Sequence, residues 1–194
     1  MIRFYCESFG CQMNAYDTEV ISTILESEGC IETDSPREAD VIIVNTCSVR
    51  EHAERRAIGR LNDLSRHDGA ILVACGCMAQ RIGDGLFELV PGLGIVAGTD
   101  SYHRLYSMIE KHLGGEERIV DVSVDGETTY GLIGTSSVSP SRYLSITRGC
   151  ENYCTYCIVP YLRGDVRSKD PEEIMREITG MIEEEVKEVT LLGQ

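Results

Sequence analysis

Three cysteines stand within eight residues near the end of the sequence, in the pattern Cys150-x-x-x-Cys154-x-x-Cys157. Three thiolates at this spacing can ligate three irons of a [4Fe–4S] cluster and leave the fourth iron open to a small molecule. A structural zinc site normally has four ligands, and no histidine lies nearby to supply the fourth. The spacing therefore predicts an iron–sulfur site with one open position, with zinc as the alternative.

Three further cysteines, Cys11, Cys47 and Cys77, are spread over the first half of the chain. Each comes after a segment that is predicted to be a β-strand. The carboxyl ends of parallel strands share one edge of a sheet, where ligands bind, so these thiols can converge despite their separation in sequence. Cys47 also precedes a predicted helix, whose positive end favours a thiolate and an anionic cluster. The pattern leaves two interpretations open, a metal site and three unrelated loop cysteines.

The nine cysteines taken together indicate the redox compartment of the protein. Nine cysteines, an odd and unevenly spaced set, do not fit a disulfide framework and indicate a reducing compartment. Cys6 and Cys75 share strand faces with apolar residues and are predicted to lie in the core, and Cys30 is predicted to be buried at a helix end. No secretory signal opens the sequence and no run approaches the ~20 apolar residues of a membrane span. We expect a cytoplasmic protein without a membrane partner.

The elements that position the first cysteines alternate between strand and helix patterns over residues 1–122. Apolar runs predict strands at residues 2–6, 40–45, 70–75 and 94–97. Helices are predicted from a start at Asn14 and Asp17 to Gly29, from about Val49 to Arg66 behind a capping box, and from Ser101 to Leu113. The alternation predicts an α/β domain with a parallel sheet and helices on both faces.

A second unit is predicted after a linker. Residues 123–141 are rich in Ser, Thr, Gly and Asp, as linkers are. The pattern of residues 142–194 predicts a strand at 143–147, the cysteine-rich loop, a helix that begins at Asp170-Pro171 and a strand at 188–192. This order predicts the first βαβ portion of a β/α barrel, in which catalytic groups lie at the carboxyl ends of the strands.

The charge balance is unfavourable for a nucleic-acid partner. The formal net charge is −14, whereas phosphate contacts need Lys and Arg. Four arginines lie on or beside the second predicted helix, where a solvated helical face is the simpler interpretation: Arg50, Arg55, Arg56 and Arg60. Four more flank the cysteine-rich loop and can either offset the charge of a cluster or contact a substrate: Arg142, Arg148, Arg163 and Arg167.

The motifs around the cysteines resemble a known family. Cys150-Glu-Asn-Tyr-Cys-Thr-Tyr-Cys157 resembles the radical S-adenosylmethionine (SAM) motif, and the adjoining Ile158-Val-Pro-Tyr-Leu-Arg-Gly164, with Arg167-Ser168, is similar to the corresponding segment of methylthiotransferases. Three N-terminal motifs resemble the MiaB-type branch, which modifies adenosine 37 of tRNA: Gly10-Cys-Gln-Met-Asn14, Asn45-Thr-Cys-Ser-Val-Arg-Glu51 and Gly76-Cys-Met-Ala-Gln-Arg81. The resemblance covers the whole chain.

The resemblance implies a role for each group of cysteines. Cys150, Cys154 and Cys157 would hold a [4Fe–4S] cluster whose open iron binds SAM, which one electron cleaves to methionine and a 5′-deoxyadenosyl radical. The other three cysteines would hold an auxiliary [4Fe–4S] cluster that presents or supplies sulfur. A second SAM would methylate that sulfur, and the radical would abstract hydrogen from C2 of N6-isopentenyladenosine. Tyr156 matches an aromatic position that commonly lies against the adenine of SAM, with ordinary packing as the alternative.

The resemblance also implies partners, and it limits the activity that we expect of this chain alone. It implies a tRNA substrate and an electron-donor protein such as flavodoxin or ferredoxin, and it assigns no catalytic side chain in this chain. Family members continue with the rest of the barrel and an RNA-binding domain, so we expect this N-terminal fragment alone to be inactive. Two alternatives remain, a non-enzymatic iron–sulfur or zinc-binding module and a methylthiotransferase that acts on a ribosomal protein or another modified adenosine.

Overall fold

The N-terminal part of the chain is an α/β unit built on a parallel sheet. The structure is a computed structural model that describes residues 1–49, 51–67, 69–125 and 139–194. The six strands of this sheet lie in the spatial order β2-β1-β3-β4-β5-β6, and all their pairings are parallel. This confirms the predicted fold class. In chain order the strands are β1 (Arg3–Ser8), β2 (Ile31–Glu32), β3 (Val41–Thr46), β4 (Ile71–Gly76), β5 (Ile95–Ala97) and β6 (Ile119–Asp121).

Helices cover both faces of this sheet, which explains the continuous apolar runs of its central strands. Alternate side chains of β3 enter different apolar clusters, with Val41 and Ile43 on one face and Ile42 and Val44 on the other. No helix among the described residues has the length and apolarity that crossing a membrane would need. The helices of the N-terminal part are α1 (Gln12–Ser27), α2 (Glu51–Leu64), α3 (Cys77–Ile82), α4 (Leu86–Leu89) and α5 (Leu105–Leu113).

The C-terminal part, residues 139–194, contains the predicted βαβ unit. Asp170 accepts a hydrogen bond from the backbone N–H of Glu172 at 2.7 Å, and Pro171 is the first helical residue, as predicted. The two strands that flank this helix pair in parallel. A short antiparallel pair and one short helix were not predicted. The elements are β7 (Ser141–Ser145), β8 (Thr147–Arg148), α6 (Val159–Arg163), β9 (Arg167–Ser168), α7 (Pro171–Glu183) and β10 (Glu188–Leu192).

Several predicted boundaries need correction. Helix α1 begins at Gln12 with Cys11 as its N-cap residue, so Asn14 and Asp17 lie inside it and do not start it. A 3₁₀ turn at Tyr102–Arg104 precedes α5, and the edge strands β2 and β6 were missed because two or three residues carry no periodic signal. Most of the predicted linker, residues 126–138, lies outside the described residues, and Ser141, its last residue, begins β7.

Candidate iron–sulfur sites

The structure brings the three dispersed cysteines together at one edge of the sheet. Cys47 comes directly after β3, Cys77 comes directly after β4, and Cys11 comes after β1, separated from it by Phe9 and Gly10. These three strands are adjacent in the sheet, so their carboxyl ends share one edge. All three cysteines line the same small cavity. We call Cys11, Cys47 and Cys77 the auxiliary site.

The thiols of the auxiliary site interact directly. Cys47 donates a hydrogen bond to the sulfur of Cys11, which lowers the pKa of Cys11 to about 5 and raises the pKa of Cys47. Backbone N–H groups of Met13 and Asn14, in the first turn of α1, also favour the Cys11 thiolate. The pair therefore releases one proton readily and holds the second, which a metal must displace because cysteine binds metals as the thiolate.

A buried polar network holds the strand ends in place. The Asn14 side-chain amide donates to Asn45 Oδ1 at 3.1 Å and to the Thr46 carbonyl at 3.2 Å, and the Asn45 amide donates to the Asn14 carbonyl at 3.0 Å. Thr46 Oγ1 donates to the carbonyl of Cys75 at 2.5 Å, which links β3 to β4. The cysteine motifs contain these three polar residues, but the sequence alone assigned no role to Asn45 or Thr46 and predicted Asn14 only as a helix start. For Asn45 and Thr46 the signal was polarity at the end of an otherwise apolar strand. The three side chains together hold the segments that carry the cysteines.

Gly76 makes the turn that places Cys77 at the site. Its backbone has φ +88 and ψ −159, a conformation that is essentially restricted to glycine. A Cβ atom at Gly76 would lie 2.6 Å from the carbonyl oxygen of Thr46 and would collide with the Asn45 side chain.

We expect Gly76→Ala to lower the free energy of unfolding by about 1–3 kcal/mol from backbone strain alone, with the collision adding to it. The loss is measured by urea denaturation. Gly59→Ala in α2 is the matched control, since nothing lies within 4 Å of its new methyl group, and it should raise stability by about 0.5–1 kcal/mol. Equal urea midpoints for the two variants would contradict this prediction.

The cysteine-rich loop, whose residues Cys150, Cys154 and Cys157 we call the loop site, runs between β8 and α6. Cys154 is exposed, and the other two cysteines are half-buried. The backbone N–H of Cys150 donates to the Gly164 carbonyl at 3.1 Å, and that of Cys157 donates to the Cys154 carbonyl at 2.9 Å. Cys157 lines a pocket with Tyr156, but among the described residues Cys150 and Cys154 do not line that pocket. The three loop thiols are thus not gathered around it as the auxiliary thiols are around theirs.

The donor types of the auxiliary site fit an iron–sulfur cluster. In the described part of the chain, no three or more His, Cys, Asp or Glu side chains are grouped to hold a metal ion. In a [4Fe–4S] cluster each thiolate ligates a different iron, so the sulfurs surround a cube and do not meet at a point. The auxiliary cavity also contains Arg163, a buried cation beside three potential thiolates. Three free cysteines and a cation fit an anionic cluster at this position.

Buried arginines near the loop form ion pairs with the N-terminal part. Arg148 Nη1 donates to Asp17 Oδ1 at 2.6 Å, and Arg163 Nη2 donates to Asp17 Oδ2 at 2.7 Å. Burial alone would raise the pKa of Asp17, but the charges of these two arginines hold it below its usual value. Arg167 pairs in the same way with Asp100 of the N-terminal part, at 2.7 Å. These contacts join the two parts of the chain.

The burial of these arginines distinguishes the two roles that the sequence left open for them, which are to offset the charge of a cluster and to contact a substrate. Arg142, which pairs with Glu184, and Arg148 are each 1% exposed, so neither can contact a large substrate directly. Arg163 lines the auxiliary cavity, so it is in a position to offset the charge of an anionic group bound there. The sequence contained no signal for this division, because it depends on how the two parts pack.

The arginines of the second predicted helix are mostly at the surface. Arg55 and Arg56 are exposed, as expected for a solvated helical face, and Arg56 lies over the ring of Phe9 at 5.9 Å. Arg60 instead pairs with Glu7 at 2.8 Å. Arg50 lies outside the described residues.

Tyr156 is on the surface, with 90% of its area exposed. The packing alternative for this side chain is therefore wrong. The pocket that it lines lies between the loop and α3, and its walls include Gln80, Arg81 and Tyr161. An exposed aromatic ring beside polar side chains is a suitable surface for stacking a planar base.

Comparison with known proteins finds matches over both parts of the chain. The model described as "Uncharacterized protein family UPF0004" matches residues 3–98, which include the auxiliary site, and the model described as "Radical SAM superfamily" matches residues 144–194, which include the loop site. Proteins named tRNA-2-methylthio-N(6)-dimethylallyladenosine synthase are similar over 98% of the chain, with 42% identity in Geobacter sulfurreducens and 40% in Solibacter usitatus. A protein of the same name from Dictyoglomus thermophilum is 39% identical over 100% of the chain. The chain spans about 44–45% of the length of these relatives.

Proposed function

We propose that the chain belongs to the radical-SAM methylthiotransferase family and forms part of an enzyme that adds a methylthio group to C2 of N6-isopentenyladenosine at position 37 of tRNA. The observation that carries this proposal is the meeting of Cys11, Cys47 and Cys77 in one cavity. A non-catalytic module with a single metal ion would not need two separate groups of three cysteines. The names of the relatives supply the substrate, since dimethylallyladenosine is isopentenyladenosine.

We assign each group of cysteines to one cluster. The loop site would hold the radical-SAM [4Fe–4S] cluster with SAM on its open iron, and the auxiliary site would hold the second [4Fe–4S] cluster. When bound, these groups supply the one-electron cleavage of SAM and the sulfur for transfer. The protein shapes access to that sulfur, because Cys47 and Cys77 are buried at 3% and 6% exposure whereas Cys11 is exposed. The auxiliary site is thus closed on its sheet side and open near Cys11.

Other residues of the chain would bind the remaining substrates. We assign Tyr156 as the surface against which the adenine of SAM stacks, with Gln80 and Arg81 on the same pocket wall. The net charge of −14 and the burial of the loop arginines leave few cations for phosphate contacts. We therefore place the main tRNA contacts in the portion of the relatives' length that this chain does not span. All nine cysteines are free, which suits a cytoplasmic reaction fed by flavodoxin or ferredoxin.

Nucleoside analysis of tRNA tests the assignment. In cells that lack the gene of the whole proposed enzyme, mass spectrometry should show isopentenyladenosine without its methylthio derivative. Reintroducing the gene with Cys47→Ala should leave that defect, because a cluster with three cysteine ligands loses one of them. Reintroducing it with Cys30→Ala should restore the methylthio nucleoside, since Cys30 is buried in the core away from both sites.

An unchanged nucleoside profile in the deletion strain would reject a tRNA substrate. A methylthio group lost from a ribosomal protein in that strain would identify the other branch of the family. A Cys47→Ala gene that restores the methylthio nucleoside would reject the role of the auxiliary site.

A further inference from the structure

We propose that Arg163 is a positioning residue of the auxiliary site, which donates hydrogen bonds to the sulfur atoms of the cluster there and raises its reduction potential. The inference rests on the proposed function, because it needs a cluster on Cys11, Cys47 and Cys77. It assigns to this site a residue from the C-terminal part, in the helix on the C-terminal side of the loop site.

The Arg163 side chain is buried and incompletely paired. It is 1% exposed, and one of its terminal nitrogens, Nη2, donates to Asp17 at 2.7 Å. Its Nε and Nη1 atoms are buried and have no hydrogen-bond partner among the described residues. A buried donor without a partner is destabilising, because it has lost its hydrogen bonds to water. The same side chain lines the cavity of the auxiliary site, so an acceptor in that cavity would satisfy it.

The charges around Arg163 favour an anion in the cavity. Asp17 accepts from both Arg148 and Arg163, so the two guanidinium groups share this carboxylate. Of the two arginines, Arg163 is the one that lines the cavity. Cysteine thiolates and the sulfides of a cluster are acceptors for N–H groups, and such bonds tune cluster potentials.

The direction of the effect is set by charge. One-electron reduction makes a cluster more negative, so an adjacent cation with N–H donors stabilises the reduced form more than the oxidised form. Arg163 therefore raises the potential. Removing it should make the auxiliary cluster harder to reduce without removing any of its cysteine ligands.

Arg148 provides a matched control for this test. It is equally buried and pairs with the same carboxylate, but it is not part of the cavity wall. The background is this chain with Cys150, Cys154 and Cys157 all changed to alanine, reconstituted anaerobically, so that only the auxiliary cluster is measured. Its midpoint potential is then determined by redox titration monitored by electron paramagnetic resonance in R163M and R148M.

We expect R163M to lower the equilibrium constant for reduction about tenfold, a shift of about 59 mV for one electron, and R148M to give less than half of that shift. If either methionine variant does not fold, R163K and R148K replace the pair, and R163K should give the larger shift because lysine lacks the planar fork. Equal shifts at the two positions, or no shift, would overturn the proposal. Failure of the background chain to bind iron would reject the proposed function, and this inference with it.

Discussion

Replacing Asp17 with alanine will lower the free energy of unfolding by about 3–5 kcal/mol, as expected when one partner of a buried ion pair is removed. Asp17 is fully buried, and it accepts from Arg148 and Arg163, which are themselves buried. Without the carboxylate, two guanidinium groups remain in the interior between the N-terminal and C-terminal parts. The variant should lose the packing between these parts before it loses the sheet.

Urea denaturation and acid titration measure this effect. The folded-state pKa of Asp17 is lowered, so its contribution is complete above the unfolded value of about 3.9 and is lost as the pH falls through the folded value. The parent and the variant should therefore differ fully at neutral pH and converge in acid. Asp63→Ala is the control, because Asp63 is exposed and lies 3.8 Å from an exposed arginine, and it should change stability by less than about 1 kcal/mol. An Asp17→Ala variant as stable as the Asp63→Ala variant would show that the buried pairs contribute nothing.

The meeting of the auxiliary cysteines could be predicted because it depends on a local pattern and one general rule. Cys47 and Cys77 come after apolar runs long enough to be recognised as strands, and parallel strands end at a common edge. The core positions of Cys6, Cys30 and Cys75 were also predictable, from strand alternation and the helix end, and all three lie in or against the apolar cluster of one sheet face. Such inferences need no knowledge of how distant parts pack.

The role of Asp17 could not be predicted, and its sequence interpretation as part of a helix start was wrong. Its partners lie 131 and 146 residues further along the chain, so no periodicity connects them. The conformation of the cysteine-rich loop could not be predicted from the sequence either. Its ends are fixed by long-range backbone bonds such as that from Cys150 to Gly164, and Tyr153 adopts a positive φ of 44°. The helix and strand propensities of single residues carry no information on such long-range contacts.

The largest expected effect of a substitution in this chain is on its iron content. We expect this chain to bind about eight irons after anaerobic reconstitution, since two [4Fe–4S] clusters contain that number. Changing Cys11, Cys47 and Cys77 together to alanine should remove about four of them, and changing all six cysteines of both sites should remove all. The control is a triple alanine variant of the three core cysteines, which should keep about eight. These three cysteines line neither cavity and lie in or against the apolar core: Cys6, Cys30 and Cys75.

The most direct measurement is the iron and sulfide content of two triple alanine variants, one at the auxiliary site and one at the loop site. Each should retain about four irons, with the absorption of a single iron–sulfur cluster. An auxiliary-site variant that still binds about eight irons, or a parent chain that binds zinc without iron–sulfur absorption, would contradict the assignment of one cluster to each group of three cysteines.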